Sequence, residues 1–349
     1  MDTAEQFENP VGTDGFEFVE YTAPDTWALG TLFESMGFSA VARHRSKDVV
    51  LYRQGSINFI VNHEPHSFAH AFARVHGPSV CAFGIRVRNA PVAMQRAVAL
   101  GAKPYCTPIG PQELEIPAIR GIGGSLVYLV DRYGEDSIYD VDFVPLEGMG
   151  RRDAGLTHID HLTHNVHQGR MDEWAAFYER LFNFREIRHF DIHGIATGLK
   201  SRAMVSPCGG IRIPINEPSD DKSQVQEYIS AYRGEGIQHI ALASADIYAT
   251  VSRLRQRGVR FMDVPAAYYD AVDERLPPHG EDLGRLKENR ILIDGSAEGG
   301  LLLQIFTTTQ IGPIFFEIIQ RKGNQGFGEG NFQALFEAIE RDQMARGIV

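Results

Sequence analysis

The residues with most chemical potential in this chain are its 13 histidines and a few carboxylates set among apolar neighbours. Four histidines crowd into HIDHLTHNVH, at 158, 161, 164 and 167. A spacing of three suggests a helix. The β-branched and apolar neighbours instead favour a strand, in which alternate residues share a face. His161, Thr163, Asn165 and His167 then point one way, and His158, His164 and Val166 the other. At most one or two of the four can serve one site. His167 falls past the strand's end, which leaves His161 as the better ligand candidate. His239 lies in GIQHIAL, a strand of otherwise small and apolar residues. A lone histidine there is more often a hydrogen-bonded core residue than a ligand. Glu317 in IFFEIIQ is the sharpest anomaly, because burying a lone carboxylate is costly unless it is paired or bound to a metal. His161, His239 and Glu317 follow one another at intervals of 78 residues. Two imidazoles and one carboxylate on one face, with other positions open, suit non-heme Fe(II) oxygen chemistry. Zinc on the same donors is the rival reading.

The elements that must position these residues recur in a fixed order. Gly15–Thr22 reads as a strand, Ala28–Met36 as a helix, and Ser39–Arg45, Val49–Gln54 and Ile57–Asn62 as three further strands. A second unit opens with strand Ala82–Val87 and helix Pro91–Leu100 and closes with a strand over Tyr139–Val144. Residues 145–155, PLEGMGRRDAG, read as a linker. The order then repeats from Ile159–Val166, through the helix Asp172–Phe182, and again from Gly236–Ala243 to a closing strand over Ile314–Gln320. The expected fold class is α+β, with four βαβββ modules paired into two open-barrel domains, 1–150 and 151–349. Laid on each other, GSLVYLVD (124–131) matches GLLLQIFT (300–307), and SIYDVDF (137–143) matches IFFEIIQ. The positions matching His161 and His239 then fall near Phe18 and Ala82, and the carboxylate's counterpart near Asp140. The N-terminal half is expected to bind no metal and to be structural. After the glycine-rich RKGNQGFGEGN, an amphipathic helix over 331–346 is expected, with Phe332, Leu335, Phe336 and Ile339 on one face. It would act as a lid or simply close a core edge.

Composition sets the outer bounds. The 349 residues carry a net charge of −11, which argues against nucleic acid and anionic membranes as partners. The N-terminus shows no secretory pattern, and no run approaches the 18 or so apolar residues of a membrane helix. Cys81, Cys106 and Cys208 show no C-x-x-C spacing, so reduced thiols in a cytoplasmic protein are expected.

IDHLTHNV, IPINEP, KSQVQEY, GIQHIAL, LLLQIFT and IGPIFFEIIQRKGNQGFGEGNF together resemble the 4-hydroxyphenylpyruvate dioxygenase family, two-domain members of the vicinal oxygen chelate (glyoxalase-like) fold. The resemblance spans the chain and is strongest from 156 onward. It implies Fe(II) held by His161, His239 and Glu317, with 4-hydroxyphenylpyruvate and O2 as small-molecule partners. The implied reaction is oxidative decarboxylation, ring hydroxylation and side-chain migration to homogentisate and CO2, in tyrosine catabolism. The family's polar pocket residues fall on Ser201, Asn216, Gln224, Gln238 and Gln304, and its aromatic walls on Phe306, Phe327 and Phe332, with Asn331 opening the lid helix. Asn216 and Gln224 are expected among the catalytic residues as well. Gln238 fits less well, because strict alternation turns it away from His239. Related enzymes imply a dimer or tetramer. 4-Hydroxymandelate synthase resembles the same pattern but hydroxylates the benzylic carbon. A ligand-binding protein of this fold without catalysis is the reading from another class.

Overall fold

A computed structural model of the chain describes residues 7–334, except 26, 107–108, 148–149, 151, 194–197 and 277. Most of the expected helix over 331–346 lies outside the described residues, although the chain is already helical over 329–334.

Apolar alternation produces two curled sheets. The first contains β1 (Phe16–Thr22), β2 (Ser39–His44), β3 (Val49–Gln54), β4 (Ile57–Asn62), β5 (Ser79–Arg86), β6 (Pro104–Tyr105), β7 (Ala118–Arg120), β8 (Leu126–Val130) and β9 (Phe143–Pro145), in the order β6-β7-β8-β5-β1-β4-β3-β2-β9. The second contains β10 (Leu156–Asn165), β11 (Arg185–His193), β12 (Gly198–Val205), β13 (Arg212–Pro218), β14 (Gly236–Ser244), β15 (Leu292–Ser296), β16 (Gly300–Phe306) and β17 (Phe315–Lys322), in the order β11-β12-β13-β10-β14-β17-β16-β15. In each sheet the opening strands of two modules pair antiparallel at the centre, β1 with β5 and β10 with β14. Each opening strand also pairs in parallel with its own module's closing strand. This is the pattern of four βαβββ units.

The closing strand of the second unit departs from expectation. SIYDVDF is not a strand across its length. Ser137 accepts the backbone of Asp140 and the Asp140 carboxylate accepts back from Ser137, a capping box that starts a one-turn helix over Ile138–Asp142. Only Phe143–Pro145 is extended, and it pairs with β2 as the edge strand of the sheet. The strand parallel to β5 is β8, so GSLVYLVD corresponds to IFFEIIQ rather than to GLLLQIFT.

Helices cover the sheets. Met171–Phe182 begins with Asp172 and Glu173 in its first turn, where the helix dipole favours acids, and stops at Asn183 in the left-handed region. It buries Tyr178, Leu181 and Phe182 completely, worth about 2 kcal/mol each in removed apolar surface. The cores of the two sheets touch: Phe59 lies 6.1 Å from Phe316, and Phe83 lies 6.2 Å from His164. Among the described residues no helix is long and apolar enough to cross a membrane.

His164 belongs to this core. It faces the helix, opposite His161, with Nε2 at 2.7 Å from the Tyr178 hydroxyl. Burial holds its pKa down at about 3, so the folded protein keeps it neutral. An unfolded chain protonates it near 6.5, so its contribution to stability is complete above that pH and is lost as pH falls toward 3. Between pH 7 and pH 5 we expect a loss of about 2 kcal/mol from this group, read from urea midpoints. His164→Gln should remove that part of the acid sensitivity; an unchanged pH slope would contradict it.

Candidate metal centre

Two bulges build the site. Ile159 pairs with Leu242 and His161 with Ala241, so Asp160 is an extra residue on β10. Thr163 pairs with His239 and His164 with Ile237, so Gln238 is an extra residue on β14. Bulges re-aim side chains that strict alternation would send elsewhere. β17 then lies parallel to β14 with Glu317 beside Ala241. One ligand atom each from His161, His239 and Glu317 falls within 4.8 Å of the others, and all three residues are buried. The Nε2 atoms of His161 and His239 stand 3.3 and 3.4 Å from Oε2 of Glu317.

The far nitrogens of both rings are occupied. Nδ1 of His161 bonds Oδ1 of Asp160 at 2.8 Å, and Nδ1 of His239 bonds Oε1 of Gln238 at 3.0 Å. Neither oxygen can donate, so each Nδ1 carries a proton, which makes Nε2 of each ring the nitrogen that can offer its lone pair to a metal at the shared centre. Asp160 is itself gripped by Arg321, with Nε at 2.7 Å from Oδ2 and a terminal nitrogen at 2.8 Å from Oδ1. Arg212 approaches Oδ2 at 3.4 Å. Burial works against the Asp160 carboxylate, yet Arg321 and His161 hold its pKa far below the usual range. Burial likewise opposes ionisation of Glu317, but the two imidazoles outweigh it and its pKa is lowered. Burial lowers His239, whereas at His161 the carboxylates of Glu317 and Asp160 overcome burial and raise it. The centre therefore presents a carboxylate with two nitrogen donors, a set that fits a borderline divalent metal.

A cavity of about 240 Å³ opens on this centre. Ser201, Asn216, Gln224, Gln238, Phe306, Phe327 and Phe332 all line it, with the three candidate ligands. Gln224, the first residue of the helix Gln224–Tyr232, is exposed and so stands at the cavity's opening. Ser201 and Asn216 face each other across β12 and β13. Gln304 and Asn331 are placed differently from expectation. Nε2 of Gln304 donates to Oε1 of Glu317 at 3.2 Å, and its Oε1 accepts from Nδ2 of Asn331 at 2.8 Å. Both ends of the Gln304 amide are thus engaged inside the protein, behind Glu317 and away from the cavity wall. Asn331 is fixed in turn by the Tyr268 hydroxyl at 2.6 Å.

The aromatic residues enclose the donors. Phe315 stacks on His239 at 4.9 Å, and Phe327 meets His161 edge-on at 5.3 Å. Gly328 explains part of the GFGEGNF segment. Its φ is +80°, and a Cβ there would collide with the Gln304 amide.

Sequence reasoning missed Asp160, Arg321 and Thr163, whose hydroxyl lies 2.9 Å from Nε2 of His239. The signal for Asp160 was present: a carboxylate inside an apolar strand, the same anomaly that singled out Glu317. The His161 neighbourhood in the other sheet also differs from expectation. Asp140 is exposed on its helical turn. The register equates Gly84 with Ala241, so the position matching Glu317 is Tyr128, the partner of Gly84 on β8.

Two family models match the chain: hydroxyphenylpyruvate dioxygenase, N-terminal, over residues 7–144, and the glyoxalase/bleomycin resistance protein/dioxygenase superfamily over 158–272. The chain is 60% identical to 4-hydroxyphenylpyruvate dioxygenase of Pseudomonas aeruginosa, covering 98% of this chain and 97% of that protein. It is 63% identical to a Vibrio vulnificus protein named hemolysin VllY, covering 98% of each. A solved mutant of 4-hydroxymandelate synthase from Streptomyces coelicolor superposes with a TM-score of 0.82 at 27% identity, over 96% of this chain and all of that one.

Proposed function

The chain belongs to the 4-hydroxyphenylpyruvate dioxygenase family, and on that premise we propose that it converts 4-hydroxyphenylpyruvate and O2 to homogentisate and CO2 at an Fe(II) centre held by His161, His239 and Glu317. The observation that carries the reading is the meeting of this triad with an aromatic-walled cavity on its open side. When bound, Fe(II) supplies open coordination positions for an α-keto acid and O2 and the redox chemistry between them.

The chain's own residues do the rest. Asp160 and Gln238 keep the Nδ1 protons in place, so both Nε2 atoms face the centre. Phe306, Phe327 and Phe332 form a slot for a phenyl ring, and Phe327 also shields His161 from water. The Ser201 hydroxyl is buried on the cavity wall and makes no hydrogen bond among the described residues. Such a group costs free energy until a ligand satisfies it. With Asn216 opposite and Gln224 at the opening, it offers the phenol neutral donors and acceptors. The three free thiols fit a reducing cytoplasm, where tyrosine catabolism would supply the substrate.

The test is anaerobic addition of 4-hydroxyphenylpyruvate to the Fe(II)-loaded protein, followed by O2 and product identification. Homogentisate with one CO2 per O2 consumed is expected. Release of 4-hydroxymandelate would move the chain to the synthase reaction. Absence of O2 uptake would leave a binding protein.

A further inference from the structure

The N-terminal sheet repeats the catalytic sheet residue for residue where it matters. On β1, Phe16 pairs with Ile85 and Phe18 with Gly84, so Glu17 is extra, as Asp160 is on β10. On β5, Glu20 pairs with Ala82 and Tyr21 with Val80, so Cys81 is extra, as Gln238 is on β14. These matched bulges equate Phe18 with His161, Ala82 with His239, Glu20 with Thr163 and Tyr128 with Glu317. At the three ligand positions stand two rings in contact, Phe18 and Tyr128 at 5.6 Å, and a methyl group.

A module that had become only a scaffold would be expected to fill the space the metal site vacated, because interiors pack closely and voids are destabilising. Here the counterpart cavity persists at about 640 Å³, within the range of small-molecule sites. Phe18, Ile60, Phe68, Tyr128 and Phe143 give it apolar walls. Its charged lining is mainly acidic: Glu20, Glu64, Glu113, Glu115 and Asp142, against Lys47 and two histidines. Lys47 donates to Glu113 at 2.8 Å. Glu20 and Asp142 are the buried acids, 7% and 6% exposed; Oδ1 of Asp142 accepts from the backbone N–H of Leu114 at 3.1 Å, and Nδ2 of Asn62 donates to Oε1 of Glu20 at 2.7 Å. Burial pushes the Glu20 carboxyl up, against Asn62, Cys81 and the charge of Lys47. A buried carboxyl at the wall of a roomy apolar cavity gains most from a cationic donor that brings its own counter-charge.

We propose that the N-terminal cavity is a second small-molecule site, which takes a compact hydrophobic amine with its ammonium on Glu20 and its body against Phe18, Ile60 and Tyr128. The site is distinct from the triad and its argument stands on the first sheet alone.

Isoleucine-methyl NMR of the full chain, titrated with phenethylamine, tests it. Ile60 and Ile138 line this cavity and Ile305 lines the other, so the resonances report location. The Ile60 and Ile138 methyls should shift and saturate with a dissociation constant on the order of 1 mM or tighter, while Ile305 stays still. 2-Phenylethanol should bind more weakly, and phenylacetate more weakly again. Glu20→Gln should weaken the amine at least about tenfold and leave the alcohol unchanged. Ile60→Phe, which fills the cavity without touching its charge, should abolish the shifts at Ile138. The proposal fails if Ile305 responds instead, if nothing saturates, or if a folded Glu20→Gln protein binds the amine as before.

Discussion

Glu317→Ala lowers turnover by at least about a thousandfold while the metal-free protein keeps its melting temperature within a few degrees. The asymmetry follows from what the carboxylate does. It is the one anionic donor of the triad, 2% exposed, with Oε2 facing both imidazoles and Oε1 accepting from Gln304. Without it the centre retains two neutral nitrogens and no charge to balance a divalent cation, so metal affinity and turnover fall together. Stability should scarcely change, because removing a buried anion also removes its desolvation penalty, and both imidazoles can remain neutral. Glu317→Gln sharpens the comparison. It keeps the shape and an acceptor for Gln304, so recovery of activity in that variant would mean that shape, not charge, matters. Turnover near the wild-type rate in Glu317→Ala would remove Glu317 from the centre altogether.

The triad was legible because each member broke a local rule. A histidine and a carboxylate inside apolar strands stand out against burial energetics, and the repeated interval of 78 residues tied them to equivalent places in a modular fold. What could not be read was the bulge. A single extra residue reverses the facing of its neighbours, and nothing in the alternation of HIDHLTHN or GIQHIAL announces it. Strict alternation therefore turns Gln238 away from His239 and gives Asp160 no place at the site, whereas the bulges at these two positions put both beside the ligand rings. The closing strand of the second module was misread for a related reason. SIYDVDF alternates well enough for a strand, but the Ser137–Asp140 capping box outweighs alternation over so short a span. Side-chain networks such as Gln304 between Glu317 and Asn331 join residues 13 and 27 positions apart and are invisible to any local pattern.

Arg321→Leu should be the most damaging change outside the triad, in both stability and metal affinity. One guanidinium holds Asp160 through two nitrogens, donates to the carbonyls of Asn324 and Gly326 at 3.1 and 2.6 Å, and lies 5.7 Å from the Phe327 ring. It therefore fixes the carboxylate that orients His161 and seats the segment whose Phe327 covers the same ring. Replacing it by leucine leaves Asp160 with Arg212 and His161 alone, and breaking one side of a buried pair costs about 3–5 kcal/mol. His161 also loses its fixed orientation, which should weaken metal binding about 10–100-fold. Arg321→Lys keeps the charge without the fork and should recover only part of either loss. The double change Asp160→Asn with Arg321→Leu separates the two effects. Removing both buried charges should restore most of the stability, because a buried pair contributes little beyond its own desolvation. Metal affinity should stay low, since no carboxylate then accepts from Nδ1 of His161. Urea unfolding of the metal-free variants and titration with Fe(II) under anaerobic conditions read the two quantities independently. If Arg321→Leu matched the wild type in both, the link from Arg321 through Asp160 to His161 would be a packing detail with no bearing on the centre.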